Sequence, residues 1–212
     1  MSFCILIPTI NQKDLLVNAL NVYVKCYPNI DIFILDNGNQ DIPELTQRIH
    51  VYTNESNLGV AGSWNWLIKK AISEGYEHFL VLNDDVIFDE GEIYLKGMIL
   101  YHGKEKFHVC NHFYNWSVFI LNKYIFDKVG EFDENFKKCF FEDNDYNYRM
   151  KLENILVRRD GRLNPSTYNN SMTILKDPSL NGYIENREYY IQKWGGLPDQ
   201  EVYTVPFNEK IF

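Results

Sequence analysis

The chain has 212 residues, of which 45% are hydrophobic, so it is long enough to bury a sizeable core without disulfides or structural metals. Its 29 acidic and 21 basic residues give a formal net charge of −8, which disfavours duplex nucleic acid and anionic membrane surfaces as partners. No apolar stretch approaches the roughly 18 residues that a membrane span needs. We therefore expect neither a nucleic-acid partner nor a membrane span.

The amino terminus predicts a buried strand rather than a signal peptide, because Met1–Pro8 has no basic segment and no small-residue cleavage site. The four cysteines form no CxxC pair, and reduced thiols in the cytoplasm are the expected state. No repeat or linker divides the sequence, so we expect one domain over residues 1–212. Its last residues carry no stop signal, which is compatible with a fragment of a longer protein.

The first half of the chain alternates strand patterns with helical patterns. Continuous apolar runs predict strands at Phe3–Pro8, Asp31–Leu35, Ile49–Thr53 and His78–Leu82. Helical patterns predict helices at Asp14–Lys25, Ile42–Arg48 and Gly62–Ser73. This order is typical of an α/β fold with a mainly parallel sheet and helices on both faces.

The second half of the chain has weaker patterns. They predict helices at Glu92–Leu100, Lys123–Val129 and Tyr146–Asn154, and a strand at Ser117–Leu121. From Asp160 onwards the periodicity is weak, and we assign no element there.

Polar residues follow three of the predicted strands, at Pro8–Asn11, Asp36–Gly38 and Asn83–Asp85. Ligands of such sheets bind beyond the carboxyl ends of the strands, so the convergence of these clusters indicates a ligand site. Asp84 and Asp85 offer oxygen ligands that suit Mg²⁺ or Mn²⁺ bound to a diphosphate. The alternative is a polar turn that caps the following residues. Asp36 could accept from a pyrimidine base or a ribose, or form a turn with Gly38.

A run of small residues between Asn57 and Asn65 leads into a predicted helix. A helix start offers free amides and the positive end of a dipole, which suit a phosphate group. The alternative is a tight loop that lets the helix pack closely. Asn65 falls within or just past the first turn, where its side chain could reach the same cleft.

The segment Phe140–Arg149 is the richest in candidate chemistry. Asp145 and Arg149 have the i,i+4 spacing of a structural ion pair. Glu142 and Asp143 follow two phenylalanines, and burial there would raise a carboxyl pKa and suit a general base. Helix capping is the alternative for Glu142. Farther along, Trp194 is either an aromatic platform for a sugar ring or a core residue.

The order of these motifs resembles that of family-2 nucleotide-sugar glycosyltransferases of the GT-A fold. Asn83-Asp84-Asp85 stands where that family has its DXD motif, and Glu142-Asp143 precedes Asp145 and Arg149 as in the family pattern. The resemblance covers roughly residues 3–155. The compact size and style of the sequence also resemble capsid glycosyltransferases of large DNA viruses, which would act in the host cytoplasm.

The resemblance implies a metal-dependent, inverting hexosyltransferase that moves a sugar from a nucleotide-diphosphate donor, preferably a UDP-sugar, to a hydroxyl of a glycan or glycoprotein. Residues 1–90 would bind the donor and residues 91–212 the acceptor. The implied donor-binding residues are Thr9, Asp36, Asn57, Gly59, Asn65 and Asp84. Asp85 would bind Mn²⁺ or Mg²⁺, Asp143 would be the catalytic base with Glu142 beside it, and Trp194 would contact the acceptor.

Two other classes compete with this interpretation. A non-catalytic nucleotide- or sugar-binding module on the same fold is the main alternative. A nucleotidyltransferase would place a glycine-rich basic loop after the first strand, where Pro8–Gln12 has neither glycine nor arginine. Some relatives bind their metal through a late histidine, and none follows His112 here, which leaves the remaining metal ligands open.

Overall fold

The computed structural model describes residues 2–102, 106–111, 115–169 and 173–209. The strands are β1 (Phe3–Thr9), β2 (Ile32–Asp36), β3 (Ile49–Thr53), β4 (His78–Leu82), β5 (Val86–Ile87), β6 (Lys106–Cys110), β7 (Val118–Asn122), β8 (Leu156–Asp160) and β9 (Thr167–Tyr168). The helices are α1 (Lys13–Cys26), α2 (Gly59–Ser73), α3 (Glu92–His102), α4 (Lys123–Val129), α5 (Glu142–Leu152), α6 (Thr173–Lys176) and α7 (Tyr183–Trp194). Short 3₁₀ turns lie at Asn115–Ser117, Gly161–Leu163, Pro178–Leu180 and Pro206–Asn208.

The strands of the central sheet follow the order β3-β2-β1-β4-β7-β6-β8 within the described residues. β3, β2, β1 and β4 are parallel, and so are β6 and β8, whereas β7 runs antiparallel to both of its neighbours. The predicted α/β fold with a mainly parallel sheet is therefore confirmed. β5 and β9 form a separate antiparallel pair.

The sheet is buried on both faces, which explains the continuous apolar runs of its central strands. Along β1, Ile5 and Ile7 pack into one core with residues of α1 and α3. Cys4 and Leu6 point to the other face and pack with α2, α4 and α5. A third, smaller aromatic cluster joins α5 and α7.

Several predictions for individual elements are wrong. The segment Ile42–Arg48 forms no helix: Ile42 is buried but Leu45 is exposed, so the segment has too little apolar surface to stabilise so short a helix. α5 begins at Glu142, four residues before the predicted start. The sequence patterns do not predict β6, β8 or α7. α7 lies in the tail of the chain, where the periodicity is too weak to indicate a helix.

The described part of the chain contains no membrane-spanning helix, since none of its helices combines the required length with sufficient apolar character.

Candidate active site

A cleft of about 740 Å³ opens at the carboxyl ends of β1 and β4, beside the amino-terminal ends of α2 and α5. Of the candidate residues named from the sequence, it is lined by Thr9, Asn57, Gly59, Asp84, Asp85, Glu142 and Asp143. Asp36, Asn65 and Trp194 do not line it. The fold thus brings the two predicted carboxylate pairs to one cleft.

Asp84 is bound to the end of the neighbouring strand. The Thr9 hydroxyl donates to Asp84 Oδ2 over 2.7 Å, and the Ile10 amide lies 3.4 Å from the same oxygen. Burial raises the pKa of Asp84 to about 7; the adjacent Asp85 charge raises it too, while the bond from Thr9 opposes the shift. A cation bound nearby would favour the ionised form.

The Asp84–Asp85 pair fits a divalent cation that is shared with a substrate. Both residues line the cleft, and carboxylate oxygens are the ligand type that Mg²⁺ and Mn²⁺ prefer. Among the described residues, no group of three or more histidine, cysteine, aspartate or glutamate side chains is arranged to hold a metal. Such a cation would therefore need substrate phosphates and water to complete its coordination, as Mg²⁺ commonly does.

Asp36 forms the turn that was the alternative interpretation of its position. Its carboxylate is buried and accepts hydrogen bonds from the Gly38 amide and the Gln40 side chain, each over 2.9 Å. The neighbouring Asn37 lines the cleft instead and donates to Ser63 Oγ over 2.9 Å. The contacts of Asp36 therefore support a role in holding the turn that precedes Gln40 and in placing Asn37 at the cleft.

Several of the amides that we expected to be free for a phosphate at the start of α2 are bonded to other parts of the protein. Three successive amides are already bonded: Leu58 N to Asn37 Oδ1 at 3.2 Å, Gly59 N to Asn57 Oδ1 at 2.9 Å and Val60 N to Lys138 O at 2.7 Å. Gly59 has a φ of 70°, and a Cβ there would lie 2.9 Å from the Lys138 backbone. Gly59 thus allows the loop before α5 to approach α2, which matches the close-packing alternative.

Asn65 lies in the core and not in the cleft. Its side chain donates to the Phe132 carbonyl and accepts from the Phe132 amide, each over 2.8 Å. It also donates to Glu134 Oε1 over 2.9 Å. These bonds anchor the loop after α4 on α2, so the structure does not support direct contact of Asn65 with a ligand.

Glu142 and Asp143 form the first turn of α5, directly after two residues with left-handed backbone. Phe140 and Phe141 have φ values of 80° and 71°, a conformation that is strained for aromatic residues. Among the residues that the structure describes, no side chain caps this helix. Glu142 is 6% exposed, and within the described residues its Oε2 has no hydrogen-bond partner. Helix capping therefore does not explain Glu142.

The pKa values of both carboxyl groups are raised. Burial is the main cause for each, and the Asp143 charge adds to the shift of the Glu142 pKa. The bond that Asp143 Oδ1 accepts from the Asn144 amide, over 2.8 Å, opposes the shift of the Asp143 pKa. Two adjacent carboxyl groups with raised pKa values are a suitable arrangement for proton transfer.

Trp194 is a core residue, because its indole nitrogen donates to the buried Asp145 Oδ1 over 2.8 Å. Lys193 Nζ lies 2.7 Å from the same oxygen and 2.6 Å from Asp133 Oδ2. Arg149 Nε donates to Asp145 Oδ2 over 2.8 Å, which confirms the predicted ion pair. This buried network joins α7 to α5, and Trp194 is not placed to stack on an acceptor sugar.

The cleft also contains residues that sequence reasoning did not assign to it. Trp64 lines the cleft from α2, and within the described residues its indole nitrogen has no hydrogen-bond partner. Its position on the helical stripe indicated only a core residue. Lys138, Thr173 and Asn181 also line the cleft, and they lie in segments whose local pattern gave no such signal.

The sequence matches one known protein family. The sequence profile of this family, glycosyl transferase family 2, matches residues 4–152. No curated protein sequence matches the chain.

Solved structures show the same fold. The protein is similar to GalNAc-T7 with UDP, GalNAc and Mn²⁺ (TM-score 0.67, 10% identity, 92% of this chain and 48% of that chain). It is also similar to mannosyltransferase PcManGT from Pyrobaculum calidifontis in complex with GDP-Man and Mn²⁺ (TM-score 0.61, 8% identity, 77% of this chain and 56% of that chain). A third similar structure is S. aureus TarS 1–349 (TM-score 0.57, 17% identity, 76% of this chain and 58% of that chain). The chain spans about half the length of these proteins. At these identities the likeness confirms the predicted GT-A fold alone.

Proposed function

The chain belongs to glycosyl transferase family 2, and from this premise we propose that it transfers a hexose from a nucleotide-diphosphate donor, a UDP-sugar, to a hydroxyl of a glycan or glycoprotein. The observation that carries the proposal is that two carboxylate pairs, Asp84–Asp85 and Glu142–Asp143, line one cleft. Glycosyl transfer needs a proton acceptor near the acceptor hydroxyl and positive charge near the leaving diphosphate. The two pairs match this division of roles.

Asp143 is the proposed general base. The acceptor oxygen forms a bond to the anomeric carbon, its proton moves to the Asp143 carboxylate, and the bond from that carbon to the diphosphate oxygen breaks. The leaving diphosphate keeps the electron pair, and displacement from the opposite face inverts the anomeric centre. Burial raises the pKa of Asp143, which makes its carboxylate a stronger proton acceptor.

Asp85 is the proposed metal ligand, with Asp84 oriented beside it by Thr9. A bound Mn²⁺ or Mg²⁺ would neutralise charge on the donor diphosphate. This role accounts for an anionic substrate in a protein whose net charge is −8. The GDP-Man, UDP and Mn²⁺ named with the similar structures support this part of the proposal.

The contacts in the structure divide the implied donor-binding residues into two groups. Thr9, Asn57 and Asp84 line the cleft and are proposed to contact the donor. Asp36, Gly59 and Asn65 are proposed to position the loops around it. The preference for UDP, the viral capsid origin and the host cytoplasm stay predictions.

Thermal unfolding with UDP, dTDP, GDP and CDP tests the donor site, each nucleotide being added with Mn²⁺ and with EDTA. A nucleotide at 100 times its dissociation constant adds about 2.7 kcal/mol of stability. We expect UDP with Mn²⁺ to give the largest increase and EDTA to remove it. No increase with any nucleotide would contradict the proposal and would favour the sugar-binding module without catalysis.

A further inference from the structure

A second pocket of about 440 Å³ adjoins the cleft and shares Phe140 and Asp143 with it. We call it the side pocket, and its further lining residues include Asn144, Tyr183, Arg187, Leu197, Pro198 and Gln200. Because Asp143 lines both cavities, a molecule in the side pocket would lie next to the same carboxylate as a donor in the cleft.

A tight turn after α7 builds one wall of the side pocket. Gly195 ends the helix with a φ of 77°. A Cβ on Gly196 would lie 2.0 Å from the Gln200 carbonyl oxygen, so the close approach of these two backbone segments requires glycine. The Gln200 amide donates to the Leu197 carbonyl over 2.8 Å. The wall is therefore an ordered part of the fold, and it explains the paired glycines after Trp194.

The lining of the side pocket suits a saccharide. Tyr183 is 49% exposed, and its ring centroid lies 5.6 Å from that of Phe140, with the two planes at 81°. Aromatic rings of this kind offer apolar faces to sugar rings. The amide side chains of Asn144 and Gln200 can donate to and accept from hydroxyl groups.

Arg187 brings a guanidinium group to the side pocket that forms no ion pair with the described part of the chain. Within the described residues it takes part in no hydrogen bond or ion pair, whereas Arg48, Arg149 and Arg162 each bind a carboxylate. It lies on α7 one turn after Tyr183. A guanidinium group binds a carboxylate or a phosphate through two parallel hydrogen bonds.

We infer that the side pocket is the acceptor subsite and that it takes a saccharide with an anionic group, which Arg187 binds while the accepting hydroxyl faces Asp143. This inference rests on the proposed function, because it uses Asp143 as the base. It adds the class of acceptor, an acidic saccharide, and a residue that determines specificity.

Calorimetric titration in the presence of UDP and Mg²⁺ tests the inference with three matched probes. Methyl β-glucuronide carries a carboxylate, glucose 6-phosphate carries a phosphate, and methyl β-glucoside is neutral. We expect at least one charged probe to bind about tenfold more tightly than the neutral one, as a charge-assisted pair predicts. The probe that binds more tightly identifies the anion as carboxylate or phosphate.

Arg187→Gln should remove this preference, and the matched variant Arg159→Gln should keep it, because the exposed Arg159 on β8 lines neither cavity. Equal binding of the three probes, no binding of the charged probes, or a preference that survives Arg187→Gln would overturn the inference. UDP affinity, measured in the same samples, separates the two proposals. If UDP binds and the preference is absent, only the inference fails; if UDP does not bind, the proposed function fails with it.

Discussion

The two halves of the molecule contribute to the cleft by different means. In the first half, backbone topology does most of the positioning: β1 and β4 are parallel neighbours, so Thr9 at the end of one strand meets Asp84 just beyond the other. In the second half, Glu142 and Asp143 follow two left-handed residues at a helix start that α7 braces through side-chain contacts.

The two sides of the cleft therefore depend on different interactions. The proposed donor side relies on strand pairing within a sheet that is buried on both faces. The proposed acceptor side relies on a buried ionic network and on tight turns, which are features that single substitutions can break. Substitutions should therefore separate donor binding, transfer and stability, and four of them test this separation.

The largest expected effect is on transfer. Asp143→Asn should lower the rate of sugar transfer by about 10³-fold, because the amide cannot accept the hydroxyl proton. UDP affinity should stay close to that of the wild type, because the proposed site of the diphosphate is at Asp84 and Asp85 and not at Asp143. UDP release from a UDP-sugar and calorimetry measure the two quantities. The matched variant Asp127→Asn changes an exposed residue of α4 and should leave both unchanged; loss of UDP binding in Asp143→Asn would remove this residue from the base role.

The next effect is on stability. Lys193→Met should lower the free energy of unfolding by about 3 kcal/mol, because it leaves the buried Asp145 carboxylate and the partly buried Asp133 carboxylate without this partner. Urea unfolding measures the loss. Lys128→Met removes an exposed lysine of α4 and should cost about 0.5 kcal/mol or less. Equal losses in the two variants would show that the network does not support the second half.

A smaller effect is expected at the metal site. Asp85→Ala should weaken UDP binding in Mn²⁺ by about ten- to a hundredfold and make it insensitive to EDTA. Asp89→Ala changes an exposed carboxylate four residues later and should keep the dependence on Mn²⁺. Calorimetric titration of UDP measures both. An unchanged Mn²⁺ dependence in Asp85→Ala would place the metal elsewhere.

The smallest effect is a pH-dependent gain in stability. Burial raises the pKa of Glu142 in the folded protein above the ordinary value of 4.5. Below pH 4.5 the carboxyl group is protonated in both the folded and the unfolded protein and costs no stability. As the pH rises through the raised pKa, the buried group must ionise, and the free energy of unfolding falls. Glu142→Gln should therefore stabilise the protein at pH 8 by roughly 1–2 kcal/mol and by less at pH 5. Urea unfolding at both pH values measures this, with the exposed Glu188→Gln as the control. An equal increase in the free energy of unfolding at both pH values would contradict the claim that burial raises the pKa of Glu142.

The sequence predicts the first half well, because strands buried on both faces leave continuous apolar runs. The predicted bounds of β3 and β4 agree with the structure, those of β1 differ by one residue at its end, and those of β2 differ by one residue at both ends. The polar edge strand β8 and the helix α7 leave no such pattern: the buried face of α7 consists of Asn186, Tyr190, Lys193 and Trp194, a polar and aromatic set.

The candidate site divides in the same way. The positions of Asp84 and Asp85 follow from the strand that precedes them, so a local pattern finds them. Trp194 and Asn65 were expected to reach a ligand, but their partners, Asp145 and the Phe132 backbone, lie 49 and 67 residues away along the chain. Only tertiary packing selects such partners.

The most direct test of a single cleft built by both halves is an NMR titration of the protein with UDP, first with Mg²⁺ and then with trace Mn²⁺. A paramagnetic ion broadens the resonances of nearby amides, so it reports position without any substitution. We expect Mn²⁺ with UDP to broaden the amides of Asn83–Asp85 and also those of Glu142 and Asp143. Broadening that is confined to one half of the chain, or that appears away from the cleft, would contradict it.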